Sequence, residues 1–177
     1  MDFTFRYLRD EDIDADLDLQ LRSLLRECFP HEARHLETKR YFHECPQNRW
    51  LAFAPNGALA AHVAAHEKVI GAETEDLKII GVAEVSVAPQ FRGKKLVKSL
   101  LRQAQDWGKG HGFSFAVLFG DQRIYSSSGY TNVLNPTNTI DVETGKNLLE
   151  VRRFLMVRPL DDSVWPEGEI DLRGPTF

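Results

Sequence analysis

The stretch Val85-Ser86-Val87-Ala88-Pro89-Gln90-Phe91-Arg92-Gly93-Lys94-Lys95-Leu96-Val97 carries the clearest chemical signal in the chain. A β-rich run ends at Pro89 and a basic turn, Arg92-Gly93-Lys94-Lys95, follows at once. Leu96, Val97, Leu100, Leu101 and Ala104 then recur at helical spacing. The pattern reads as strand, tight turn and helix, with the amides of the turn gathered at a helix N-terminus. Such an end carries unpaired N–H groups and the positive pole of the helix dipole, which together bind phosphate. Arg92, Lys94, Lys95 and Lys98 add charge of the same sign. A solvated basic helix start is the competing explanation.

Three other groups could do chemistry. Glu84 sits inside the apolar run Ile79–Val87, where a carboxylate is costly to bury unless paired. Burial would raise its pKa toward that of a general base; pairing with an Arg or Lys of a neighbouring strand would make it structural instead. His62 and His66 share one face of a strand and are further candidate bases, or backbone-binding structural residues. His31-Glu32-Ala33-Arg34-His35 is a literal H-E-x-x-H, the zinc-protease pattern when it lies on a helix. Pro30 places it at a helix start or loop, and Arg34 sets a positive charge beside any metal, so no metal site is expected.

The Arg92–Val97 turn resembles the acyl-CoA-binding loop of the GCN5-related N-acetyltransferases (GNAT), Gln/Arg-x-x-Gly-x-Gly/Ala. Arg92 matches; Lys95 and Val97 stand where the family has small residues. A helical Lys95 would still offer its backbone N–H, whereas Val97 departs from the close approach that small residues permit. A second match is Tyr125 with Gly129-Tyr130, the spacing at which many members carry a Tyr that protonates the departing coenzyme A thiolate. The resemblance implies acetyl-CoA as co-substrate, bound by Val85, Val87, Arg92, Gly93, Lys94, Lys95, Leu96, Val97 and Tyr125. It implies oxyanion support from a backbone N–H near Val87, Tyr125 as the acid, and Glu84 or a water as the base. Within the family, Arg92–Val97 and Gly57–Val63 look like segments of aminoglycoside 2′-N-acetyltransferases. Gly57–Val63 and the tail Trp165–Asp171 with Arg173-Gly174-Pro175 look like those of nodulation N-acyltransferases. Both act on a 2-amino group of a sugar, and the latter implies a carrier-protein donor as an alternative. A non-catalytic module that keeps the fold is the rival from another class.

The elements that must position these residues follow from pattern. Phe3–Tyr7 alternates as a strand, and Leu17, Leu21, Leu24, Leu25 and Cys28 mark one helix face ended by Pro30. The acids from Asp10 to Asp18 suit the approach to that helix. Leu36–Phe42 reads as a second short helix. Strands are expected at Arg49–Ala54, Ala58–Ile70 and Leu77–Val87, the first pair joined by the turn Pro55-Asn56-Gly57. A helix over Leu96–Trp107 ends where Gly108 and Gly110 flank a break. A buried strand Phe113–Phe119, a short helix Ile124–Ser128 and a late strand Leu149–Val157 containing Arg152 and Arg153 complete the list. The fold expected is α/β: a mixed, mostly antiparallel central sheet flanked by helices. The resemblance implies that it is splayed between the fourth and fifth strands, and that residues 1–177 form a single acyl-CoA N-acyltransferase domain.

With 177 residues, 42% hydrophobic and 27% charged, the chain can build a sizeable core. A net charge of −4 disfavours nucleic acid as partner and suits a small-molecule amine acceptor. Loop acids such as Asp10, Glu11 and Glu73 could attract a polycation. Cys28 and Cys45 make no disulfide framework and read as reduced, packed thiols. No apolar run approaches the roughly 18 residues of a membrane span, and no signal core opens the chain, so a cytoplasmic protein without a membrane partner is expected. A homodimer is compatible with all of this.

Overall fold

The computed structural model describes residues 2–177. The elements run β1 (Thr4–Arg9), α1 (Ala15–Cys28), β2 (Asn48–Phe53), β3 (Leu59–Ala72), β4 (Asp76–Val87), α2 (Leu96–Gly110), β5 (Phe115–Phe119), α3 (Gln122–Tyr125), β6 (Thr131–Asn132), β7 (Pro136–Ile140), β8 (Asn147–Val151), β9 (Leu155–Pro159) and β10 (Ile170–Asp171). The sheet is mixed, with strand order β6-β9-β5-β4-β3-β10-β7-β8 and β2 and β1 attached to β3. The chain divides into two compact units: residues up to His66 with Ala83–Ala104, and Glu67–Val82 with Gln105–Phe177.

In the first unit β1 and β2 pair antiparallel, from Thr4 opposite Phe53 to Arg9 opposite Asn48. β2 and β3 continue antiparallel, with Trp50 opposite Val63. Their hairpin closes through a turn in which Gly57 takes a φ of 82° that a side chain would strain. Helix α1 starts because Asp14 accepts from Leu17 N–H at 2.8 Å. It buries Leu17, Leu21, Leu24 and Leu25, each worth roughly 1.5–3 kcal/mol out of water. Trp50, Leu51 and Val63 are buried with them in this unit.

In the second unit β4 and β5 pair parallel over Ile79–Gly81 against Phe115–Val117, and β4 continues past that register to Val87. β9 pairs antiparallel with β5, and β6 with β9. β10 pairs antiparallel with the end of β3 and parallel with β7, which forms a hairpin with β8. Ile70, Leu77, Ile79, Phe115, Val117, Leu155, Val157, Ile170 and Leu172 form the core of this unit, with Trp165 and Phe177 packed on it.

Four expectations are corrected. Leu36–Phe42 is not a helix: only His35–Glu37 makes one 3₁₀ turn, because the segment spends its polar groups on other bonds, His35 Nε2 lying 2.9 Å from the Tyr41 carbonyl and Arg40 Nε reaching Asp10 at 2.9 Å. Helix α2 runs through Gly108 to Gly110. Gly108 is no break: a Cβ there would stand 2.9 Å from Leu160 Cδ1 and 3.1 Å from Ile80 Cδ1, so the glycine lets the helix lie close to both. The late strand is two strands, β8 and β9, separated by a turn in which Leu155 N donates to Arg152 O at 3.1 Å. Arg152 and Arg153 therefore sit in a turn. Asp10 is no loop acid for a polycation, being 8% exposed and ion-paired.

Gly108→Val should cost about 1–3 kcal/mol by overpacking. Gly110→Ala, with open space at its Cβ, should be neutral or stabilise by up to about 1 kcal/mol. Thermal unfolding of the two variants side by side checks the contrast.

Candidate active site

The basic turn is built as its residue types require. Beyond Val87, Ala88 N donates to Ala60 O at 2.9 Å, holding the chain on β3. Pro89–Phe91 makes one 3₁₀ turn, and Phe91 is buried edge-on to Phe3, with ring centroids 5.7 Å apart. Arg92, Gly93, Lys94 and Lys95 are then exposed together. Gly93 has φ 76° and Lys95 φ 61°. The sequence reading of a helical Lys95 is corrected: the residue is left-handed, at the position where the family pattern has Gly. Its carbonyl accepts the first helical bond of α2, from Ser99 N at 3.1 Å. The N–H groups of Leu96, Val97 and Lys98 precede that bond and have no acceptor within the helix. Val97 is half-buried and keeps its N–H whatever its side chain. Free amides, the helix dipole and four exposed cations, counting Lys98, fit a pyrophosphate.

Glu84 lies in β4 with φ 53°, a left-handed residue in mid-strand. Its side chain is buried and held by Arg49 Nη1, which donates to Oε2 at 3.0 Å, and by Phe42 N–H, which donates to Oε1 at 3.3 Å. Arg49, wholly buried, also donates from Nε to Asp10 at 2.5 Å and from Nη2 to the Arg40 carbonyl at 3.1 Å. Its Nη1 lies 3.0 Å from His62 Nε2, which must accept, while His62 Nδ1 lies 3.2 Å from the Glu84 carbonyl and donates to it. His62 is therefore neutral, and burial and then Arg49 hold its pKa well below the ordinary value. Burial drives the Glu84 carboxyl up to about 7 against the pull of Arg49. Asp10 is pushed upward by burial too, but bonds from Arg40, Cys45 and Arg49 overcome this and hold it far below the usual carboxylate range. One guanidinium thus serves two carboxyls of opposite behaviour, Asp10 ionised and Glu84 near half-titration at neutral pH.

Tyr125 ends α3, a single turn started by Asp121, which accepts from Arg123 N at 2.8 Å. A 3₁₀ turn, Ser126–Ser128, follows and Gly129 closes it at φ 85°. Arg158 donates to the Ser128 carbonyl from the space that a Gly129 side chain would fill. The Tyr125 ring lies against Gly120, where a methyl group would collide with it, and edge-on to Tyr130 at 6.2 Å. Burial raises the Tyr125 pKa, so its proton stays on at neutral pH.

The first unit thus brings together Glu84, Val85, Val87 and Arg92–Val97; Tyr125 belongs to the second. His66 is buried. His31 and His35 lie on separate 3₁₀ turns, and among the described residues no cluster of His, Cys, Asp or Glu could hold a metal. Neither cysteine is fully buried: Cys28 Sγ lies 3.4 Å from the Val87 carbonyl and Cys45 Sγ 3.0 Å from Asp10, which with burial pushes that thiol up to about 11. Arg49, Arg40 and Asp10 were not legible as one cluster. The available sign was Arg49 beside the apolar Trp50-Leu51-Ala52-Phe53, a cation that needs a buried anion.

Residues 4–133 match the model of the acetyltransferase (GNAT) domain. No curated protein matches the chain. Among solved structures, a GNAT family N-acetyltransferase from Escherichia coli, in complex with CoA, is 20% identical with TM-score 0.65, covering 96% of this chain and 89% of its own. A GNAT family acetyltransferase from Brucella melitensis, in complex with acetyl-CoA, is 16% identical with TM-score 0.62, covering 96% and 94%. A GCN5-related N-acetyltransferase from Anabaena variabilis is 19% identical with TM-score 0.60; 73% of this chain aligns to 32% of that longer one.

Lys95→Gly should relieve the left-handed strain and raise stability by about 1 kcal/mol, read as a higher Tm. For Glu84, the raised pKa means that its stabilisation is complete below about pH 4.5 and is lost as pH rises through about 7. The stability of the wild type relative to Glu84→Gln should therefore fall across that window, by up to about 3 kcal/mol. His62, with its lowered pKa, works in the opposite direction, but it is present in both proteins and cancels in the comparison. Urea unfolding at a series of pH values gives the difference.

Proposed function

The chain belongs to the GNAT acetyltransferase family, and on that premise we propose that it is an acetyl-CoA-dependent N-acetyltransferase acting on a small primary amine. The observation that carries this reading is the exposed basic turn at the start of α2, with its left-handed Gly93 and Lys95 and its free amides. In this reading the amides of Arg92–Val97 hold the pyrophosphate of the donor, and backbone groups of Val85 and Val87 line its arm. The CoA and acetyl-CoA held by the E. coli and B. melitensis proteins support the choice of donor. The resemblance of Arg92–Val97 and Gly57–Val63 to sugar-modifying members makes glucosamine the first acceptor to try.

The donor supplies an acetyl thioester. The N–C bond of the new amide forms as the C–S bond breaks, and two protons must move. A water, or Glu84 reached through a water, is the candidate acceptor for the proton leaving the amine, since the Glu84 side chain is buried and paired with Arg49. Its pKa of about 7 suits that task, and each oxygen retains a lone pair beside the bond it already accepts. Tyr125 supplies the proton to the departing sulfur, and a backbone N–H near Val87 supports the carbonyl oxygen as it gains charge. Holding both reactants in register contributes the remainder.

Coenzyme A release with an amine panel tests the reading. Tyr125→Phe should lower kcat about 10–100-fold and leave the acetyl-CoA affinity within about twofold. Unchanged turnover would remove Tyr125 from the mechanism. Acetyl-CoA binding without release for any amine would favour a non-catalytic module, and no binding at all a carrier-protein donor.

A further inference from the structure

Strand β8 ends the sheet of the second unit: β7 lies on one side of it and, among the described residues, no strand lies on the other. All five of its residues are exposed. An edge of this kind is a template for further pairing, and proteins guard such edges with proline, a bulge or an inward charge. β8 contains no proline. Its register on β7 runs without a bulge, from Val151 opposite Pro136 to Asn147 opposite Ile140. Leu148, Leu149 and Val151, with Ile140 of β7, are 39–58% exposed, so the apolar surface of this hairpin is continuous to its edge.

The direction of the free backbone groups follows from β7. Ile140 N donates to Gly174 O at 2.9 Å, and Asn138 O accepts from Leu172 N at 3.0 Å, so both residues bond away from β8. Their partners Asn147 and Leu149 are then the non-bonded positions of the β7–β8 ladder, and their N–H and C=O groups point outward. Lys146 bonds inward, its carbonyl accepting from Asp141 N at 2.9 Å. Lys146, Leu148 and Glu150 alternate along the chain and share one face. Their order, cation, leucine, carboxylate, is its own complement when a strand is reversed about Leu148.

We propose that β8 pairs antiparallel with β8 of a second copy of this chain, about a two-fold axis at Leu148. Asn147 then stands opposite Leu149 of the second copy, and the outward groups of each exchange hydrogen bonds. Leu148 meets its own counterpart at a closely spaced position, Lys146 meets Glu150 at both ends, and the two copies of Leu149 become diagonal neighbours on the other face. The Glu150 side chain is 55% exposed beside its ion pair with Arg152, so its carboxylate has room for a second cation. An axis at Leu149 would also bring outward groups together, but it sets Lys146 opposite Arg152. Charge therefore selects the axis at Leu148. It also selects a second copy over a foreign strand, which would need the same order of charges. A contact of this length falls below the roughly 1,200 Å² of standard interfaces, so the association is reversible and depends on concentration. The proposal does not depend on the N-acetyltransferase reading.

Sedimentation velocity in low salt, from micromolar to near-millimolar protein, should show the average mass rising toward twice that of the chain. Lys146→Glu and Glu150→Lys each set like charges opposite one another and should raise the dissociation constant about tenfold or more. An equimolar mixture of the two variants restores both opposite pairs and should associate as the wild type does. Mild oxidation should crosslink Leu148→Cys faster than Leu149→Cys, with the native chain, which keeps Cys28 and Cys45, as the blank. A wild type that stays monomeric throughout, single variants that associate like it, a mixture no tighter than its components, or faster crosslinking of Leu149→Cys would overturn the proposal.

Discussion

A buried guanidinium can be kept only if nearly every one of its donors is satisfied, and Arg49 meets that condition by tying together four separate stretches of chain. Asp10 follows β1, Arg40 lies in the segment after α1, His62 is on β3 and Glu84 is on β4. Burying such a set gains little net stability over an apolar core, but removing one member strands the others and costs about 3–5 kcal/mol. The cluster therefore acts mainly through geometry. It fixes Glu84 in its left-handed conformation, sets the His62 tautomer and, through Phe42 N–H and the Arg40 carbonyl, draws the irregular segment after α1 onto β4.

The electrostatics follow from the same arrangement. Asp10 takes bonds from both arginines and stays ionised, whereas Glu84 shares Arg49 with Asp10 and with His62. Burial then dominates at Glu84 and brings it close to neutral titration. At the other end of the segment the logic is reversed: the residues from Arg92 to Lys95 are left exposed and cationic, where an anion can reach them. A single strand thus leads from a buried, charge-balanced cluster to an open, charge-unbalanced turn.

Much of this was legible in the sequence because it rests on local pattern. The strand–turn–helix unit around Arg92, the face of α1 and the β2–β3 hairpin are short-range features, and each appears within a few residues of its expected bounds. The GNAT family assignment rested on the Arg92–Val97 turn together with the spacing of Tyr125 and Gly129-Tyr130. What was not legible depended on distant partners. The left-handed Lys95 is invisible to a helical count that runs smoothly through it. Gly108 looked like a break because its neighbours Ile80 and Leu160 come from remote strands. The β8–β9 turn was concealed because Leu149 to Val157 reads as one strand despite Glu150, Arg152 and Arg153. Asp10 read as a helix-approach acid because nothing near it in sequence announces Arg49.

The central claim is that the amides at the start of α2 bind the donor's pyrophosphate. Amide hydrogen exchange, measured with and without acetyl-CoA, tests it most directly. Protection concentrated at Gly93–Lys98, kept when desulfo-coenzyme A replaces the donor and lost with a pantetheine analogue that lacks the pyrophosphate, is the predicted result. Unchanged exchange at these amides in protein that demonstrably binds acetyl-CoA would contradict the account.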